Sequence, residues 1–186
     1  MRIRYNAPVI LTFTLLAAAV QAVDQFVPGF AQSWFACPAR LTDAGPLDYL
    51  RLFLYPLGHR GWLHLVSNFA FVLLIGPVLE EKHRSGPIFL MLLITALATG
   101  VLNVLLFNTG LMGASGIVFM LILLSSFTNI RSGEIPLTFV LVVAVFLTKE
   151  LLGAFAVDDV SQFAHLLGGF CGSLFGFLFT RRARQA

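Results

Sequence analysis

Residues 62–79 read WLHLVSNFAFVLLIGPVL, eighteen positions without a formal charge and apolar apart from His64, Ser67 and Asn68. A helix crossing the hydrocarbon core of a bilayer needs about 20 mostly apolar residues, and this run nearly supplies them by itself. Working outward, five more such runs are found, at roughly residues 8–23, 87–107, 115–127, 136–152 and 160–180. Composition agrees. The 186 residues are 58% hydrophobic and 11% charged, with 19 Phe, whereas soluble domains carry about a quarter charged residues. The pattern predicts an all-α membrane protein with six transmembrane helices. The fourth run is short for a full crossing, which predicts a helix starting below the membrane surface with a loop dipping in to meet it.

Charge placement sets an orientation. With six spans, Arg2, Arg4, Lys82, Arg84, Arg131, Arg181, Arg182 and Arg184 share the side of the two termini, against Arg40, Arg51, Arg60 and Lys149 on the other. Eight against four predicts cytoplasmic termini by the positive-inside rule. Ser115 and His165 then both fall toward the outer half of the bilayer. No basic patch interleaved with aromatics is present, so no nucleic-acid partner is expected. The N-terminal run has a second reading: Arg2 and Arg4, an apolar stretch and then AVQA at residues 19–22 resemble a signal peptide with its cleavage site. Nearly forty residues, including Phe26, Phe30, Trp34 and Phe35, separate the first two runs. That is long for a simple connection, and its aromatics predict a segment lying in the interface against membrane lipid. The two cysteines, Cys37 and Cys171, are far apart, and neither a disulfide framework nor a second domain is expected.

Polar residues inside membrane helices are costly and usually have a task. Those available are His64 and Asn68, four apart on one helix face; Asn103; Ser115 within Gly113-Ala114-Ser115-Gly116; and His165. Ser115 opens its helix, among unpaired amides and the positive end of the macrodipole, where an oxyanion would be stabilised. Small residues around a serine are also ordinary helix-packing devices. His165 leads a stripe of Gly168, Gly172 and Gly176 that lets its helix press closely on a neighbour. If that neighbour begins with Ser115, the imidazole can serve as its general base. A structural histidine bonded to a carbonyl is the competing reading. Asp158 and Asp159 lie two turns before His165, roughly 9–10 Å along the axis, so a dyad without an acid is predicted. Phe119, one turn after Ser115, can pack on the imidazole. His64 and Asn68 offer two donors suited to a developing oxyanion, or interhelical hydrogen bonds. His59 reads equally as an interfacial histidine or as part of the site.

Together these residues resemble the rhomboid family of intramembrane serine proteases. The resemblance runs from Arg51 to Gly176. It rests on Arg51, on His59-(4)-His64-(3)-Asn68, on Glu80-Glu81, on Gly113-Ala114-Ser115-Gly116 and on Ala164-His165-(2)-Gly168-(3)-Gly172. It implies a single rhomboid-like transmembrane domain over residues 1–186, with Ser115 as nucleophile and His165 as base. It further implies an oxyanion hole from His64, Asn68 and backbone amides near the serine, Gly113 among them. Phe119, Gly168, Gly172, Arg51 and His59 would support the site. Single-pass membrane proteins would be the substrates, with no metal or cofactor. Two positions depart from the family's usual pattern: Leu50 before Arg51, where Trp is frequent, and Phe119, where Tyr is common. The Phe119 ring can still stack, but its hydroxyl is missing. No His-Glu-x-x-His and no pair of buried Asp supports another intramembrane protease chemistry. A catalytically silent relative that binds membrane-protein clients is the remaining alternative. The short loops point to a prokaryotic plasma membrane.

Overall fold

A computed structural model describes residues 4–42, 44–107, 109–127 and 162–185, with side chains through residue 178, and the separate helical positions Leu137, Val140, Leu141, Ala144, Val145 and Thr148. The expected fifth span at residues 136–152 otherwise lies outside the described residues, as do Arg2, Arg131, Lys149, Asp158 and Asp159. The described chain is helical: α1 (Pro8–Phe26), α2 (Phe30–Phe35), α3 (Pro46–Leu54) with a 3-10 turn at Tyr55–Leu57, α4 (Trp62–His83), α5 (Ser85–Leu106), α6 (Ser115–Phe127) and α7 (Gln162–Gln185). Helices α1, α4 and α5 are long and apolar enough to cross a membrane, while α6 and the first part of α7 are shorter apolar helices. The chain is therefore an integral membrane protein of helical type.

Local chemistry explains several boundaries. Pro8 and Pro46 sit in the first turns of α1 and α3, where the missing N–H costs nothing and φ is already helical. Arg84, at φ 69°, turns the chain sharply between α4 and α5. Pro77 lies inside α4, a substitution for which membrane helices find compensation from their neighbours. The aromatic connection expected to lie flat in the interface is itself structured as α2, α3 and the 3-10 turn, which the apolar-run reading did not resolve. Arg51 binds it together, donating to Asp48 Oδ1 at 2.6 Å and to the Ser33 carbonyl. A Cβ at Gly100 would collide with the Leu52 backbone, so α3 rests directly on α5.

Two contacts fix the bundle. The buried Glu80 carboxylate accepts from the Val9 and Ile10 amides at 3.0 and 2.9 Å. It thereby satisfies two of the donors that the start of α1 leaves without intrahelical partners, Pro8 having none to offer, and places an anion at the positive end of the helix. α1 continues unbroken through residues 19–22, with Gln21 buried. The second contact is between α6 and α7. A Cβ at Gly168 would strike the Gly116 carbonyl, and one at Gly172 the Met120 carbonyl. The glycine stripe thus meets the helix that Ser115 opens, backbone against backbone.

Candidate active site

The turn entering α6 is held by groups that come from before α4. The Gly113 amide donates to the Tyr55 carbonyl at 3.1 Å, and the Ala114 amide donates to His59 Nε2 at 3.3 Å. Upstream, Cys37 and Leu111 exchange two backbone bonds of 2.9 and 3.1 Å, and Asn103 Nδ2 donates to the Thr109 carbonyl at 2.6 Å. Gly113 has φ 116°, a conformation that suits glycine alone among ordinary residues. With the amides of 113 and 114 committed to Tyr55 and His59, and the first intrahelical bond made by Val118, the amides left open at this point are those of the helix's first turn, Ser115 among them.

His64 and Asn68, one turn apart on α4, face this same turn. A Cβ at Gly113 would lie 2.6 Å from His64 Cε1, 2.9 Å from His64 Nε2 and 3.7 Å from Asn68 Nδ2. His64 Nδ1 accepts from the Arg60 amide at 3.4 Å, so the neutral ring carries its proton on Nε2, the nitrogen next to Gly113. Asn68 Nδ2 is buried and has no acceptor among the described residues. Buried donors are nearly always paired, so this amide is open to an acceptor at the turn.

His165 arrives from the other side. Ala164 packs its carbonyl over Gly116 and Gly168 presses on the Gly116 carbonyl. Residue 165 is carried between these two contacts, beside the first turn of α6. Its imidazole is buried and stacks on Phe119, with ring centroids 4.7 Å apart and planes at 41°. Ser115 itself is half-buried. Ser115, His165, His64, Asn68, Gly113 and Phe119 are thus gathered around one turn, and Gly168 and Gly172 provide the packing that gathers them. Arg51 acts at a distance, within the connection. His59 stands behind the turn, its ring 5.0 Å from that of His64 and 5.6 Å from that of Phe69.

Burial, and next the nearby His64, push the His59 pKa down from 6.5 to about 4. A neutral ring at ordinary pH fits a nitrogen that accepts from Ala114. Burial likewise pushes the Cys37 thiol up to about 12, which removes it from nucleophilic chemistry. Sequence reasoning missed Tyr55 and the Cys37–Leu111 pairing, because both act through the backbone and leave no side-chain signature. It also gave Asn103 no task. Among the described residues no cluster of His, Cys, Asp and Glu could hold a metal ion.

Such an arrangement defines a polytopic helical membrane protein organised around a polar centre at a helix start. The chain belongs to the rhomboid family, matching the Rhomboid domain over residues 46–182. It is 34% identical over 139 residues to Rhomboid-related protein 1 of Caenorhabditis elegans, covering 67% of this chain and 38% of that one. It is 28% identical over 120 residues to Rhomboid protease GlpG of Photorhabdus laumondii, covering 64% and 42%. It is 24% identical over 139 residues to chloroplastic Rhomboid-like protein 11 of Arabidopsis thaliana, covering 66% and 50%. The chain spans half or less of the length of these relatives.

Proposed function

We propose that this protein is an intramembrane serine endopeptidase that cleaves the transmembrane segments of single-pass membrane proteins. The observation that carries the reading is the buried, unpaired Asn68 amide beside the Gly113 turn, where the oxyanion of a serine attack would form. In this reading the Ser115 hydroxyl attacks the scissile carbonyl and its proton passes to His165. The tetrahedral oxyanion accepts from the Ser115 amide, His64 Nε2–H and Asn68 Nδ2–H. His165 then returns the proton to the leaving amine and activates the water that hydrolyses the acyl-enzyme. Gly113 contributes by lacking a side chain, since its amide is committed to Tyr55. Stacking on Phe119 orients the imidazole in place of an acid. Membership of a family that includes a relative named as a protease supports the same reading.

The proposal extends to six spans in one domain over residues 1–186, from the apolar runs, to termini on the cytoplasmic side, from the loop charges, and to a prokaryotic plasma membrane, from the short loops. It is tested with purified protein in detergent and a reporter transmembrane substrate. Wild type should cut, whereas Ser115→Ala and His165→Ala should not, and labelling by a fluorophosphonate probe should disappear in both. Cleavage by Ser115→Ala at the wild-type rate would sink the proposal. Binding of the reporter by wild type without cleavage would instead identify a silent client-binding relative.

A further inference from the structure

An apolar groove of about 490 Å³ opens between α1, the α3–3-10 segment and α5. Val9, Thr12, Leu16, Pro56, Phe89 and Leu93 line it, and it reaches inward to Ile117. We infer that this groove holds one acyl chain of an anionic phospholipid, whose headgroup sits at the end where α1 begins and α4 turns into α5.

The lining is apolar and belongs largely to helices long and apolar enough to cross a membrane, where the medium that enters an open groove is acyl chain. Charge selects the headgroup. Tyr5 OH hydrogen-bonds Thr12 Oγ1 at 2.9 Å, which lays the segment carrying Arg4 along the groove's α1 wall. Arg84 precedes α5 and lies about 7 Å along that helix from Phe89. The contact of Glu80 with Val9 and Ile10 brings the α4–α5 turn against the start of α1. Arg4 and Arg84 are exposed and form no ion pair among the described residues. The Glu80 carboxylate is buried on the α1 amides, so of the carboxylates on this turn only exposed Glu81 opposes Arg4 and Arg84. Basic side chains between helix ends at the membrane surface are a recognised setting for anionic headgroups.

The test is native mass spectrometry of the full chain after reconstitution in nanodiscs of equimolar phosphatidylglycerol and phosphatidylcholine and release into mild detergent. Wild type should retain one phospholipid, phosphatidylglycerol at least tenfold over phosphatidylcholine. Leu16→Trp/Leu93→Trp, which fills the groove from two walls, should lose that adduct at least tenfold with its thermal unfolding midpoint kept. Arg4→Gln/Arg84→Gln should retain one lipid without preference, and this variant decides the matter if the tryptophan pair fails to fold. No retained lipid on wild type, equal retention of the two lipids, unchanged retention by the tryptophan pair, or an unchanged preference in the arginine pair would each overturn the inference. So would a dimer or a bound substrate segment that the tryptophan pair abolishes in place of the lipid.

Discussion

Replacing Gly113 by alanine perturbs the candidate site through a single methyl group. The new Cβ would sit 2.6 Å from His64 Cε1, whereas carbon atoms prefer about 3.5 Å or more. The imidazole must therefore retreat by about 0.9 Å, or the turn must shift by a similar amount. Oxyanion donors act at about 2.7–3.1 Å, and losing one costs about 10²–10³ in kcat. A retreat of that size removes His64 Nε2–H from range. A non-glycine residue at φ 116° adds backbone strain of about 1–3 kcal/mol. The expectation for Gly113→Ala is a fall in kcat of about 10²–10³ with little change in KM, and a stability loss of about 1–3 kcal/mol. Because the damage acts through His64, it should not add to the loss of that ring. His64→Ala should fall by a similar factor, and the double variant should be no more than about tenfold worse than either single variant, instead of the 10⁴–10⁶ that independent effects would give. The assay is single-turnover cleavage of a fluorogenic transmembrane reporter, with unfolding followed in parallel. Gly113→Ala cutting within twofold of wild type, or strict additivity with His64→Ala, would refute the reasoning.

Asn68→Ala removes the unpaired buried donor and should lower kcat about 10²–10³-fold while leaving stability nearly unchanged, since the wild-type amide has no partner to lose; a large drop in the unfolding midpoint would make Asn68 structural instead. Glu80→Ala strips both acceptors from the first turn of α1 and should destabilise by about 3 kcal/mol, read as a lowered midpoint in detergent, with Glu80→Gln intermediate. For His59 the folded-state pKa lies below the unfolded one, so its contribution to stability is complete above about pH 6.5 and is lost as pH falls toward about 4. The full loss is at most roughly 3 kcal/mol, and His59→Gln should flatten the stability profile across that window.

The long apolar helices were legible in the sequence because a bilayer imposes a length and a composition on every crossing. The runs at 8–23, 62–79 and 87–107 fall within a few residues of α1, α4 and α5, and residues 115–127 coincide with α6. The order of Ser115, His165, His64 and Asn68 was equally plain, since polar groups in apolar runs are few enough to be weighed one by one. The glycine stripe after His165 even foretold a close approach. The sequence could not say which helix was approached, because a stripe of small residues fits any partner. Only the tertiary structure seats Gly168 and Gly172 on the backbone of α6 and brings His165 beside Phe119. Likewise, Gly113 looked like one more oxyanion amide. Its amide bonds Tyr55, and the choice of acceptor for a backbone N–H leaves no trace in residue identity. The helices between α1 and α4 were hidden for a related reason. They are short, and they are stabilised by Arg51 reaching Asp48 and the Ser33 carbonyl and by the backbone contact at Gly100, not by an apolar run of their own. Apolar run length and composition determined which helices are suited to cross a membrane, while backbone hydrogen bonds and close helix contacts, which depend on geometry across the whole chain, decided what the polar residues face.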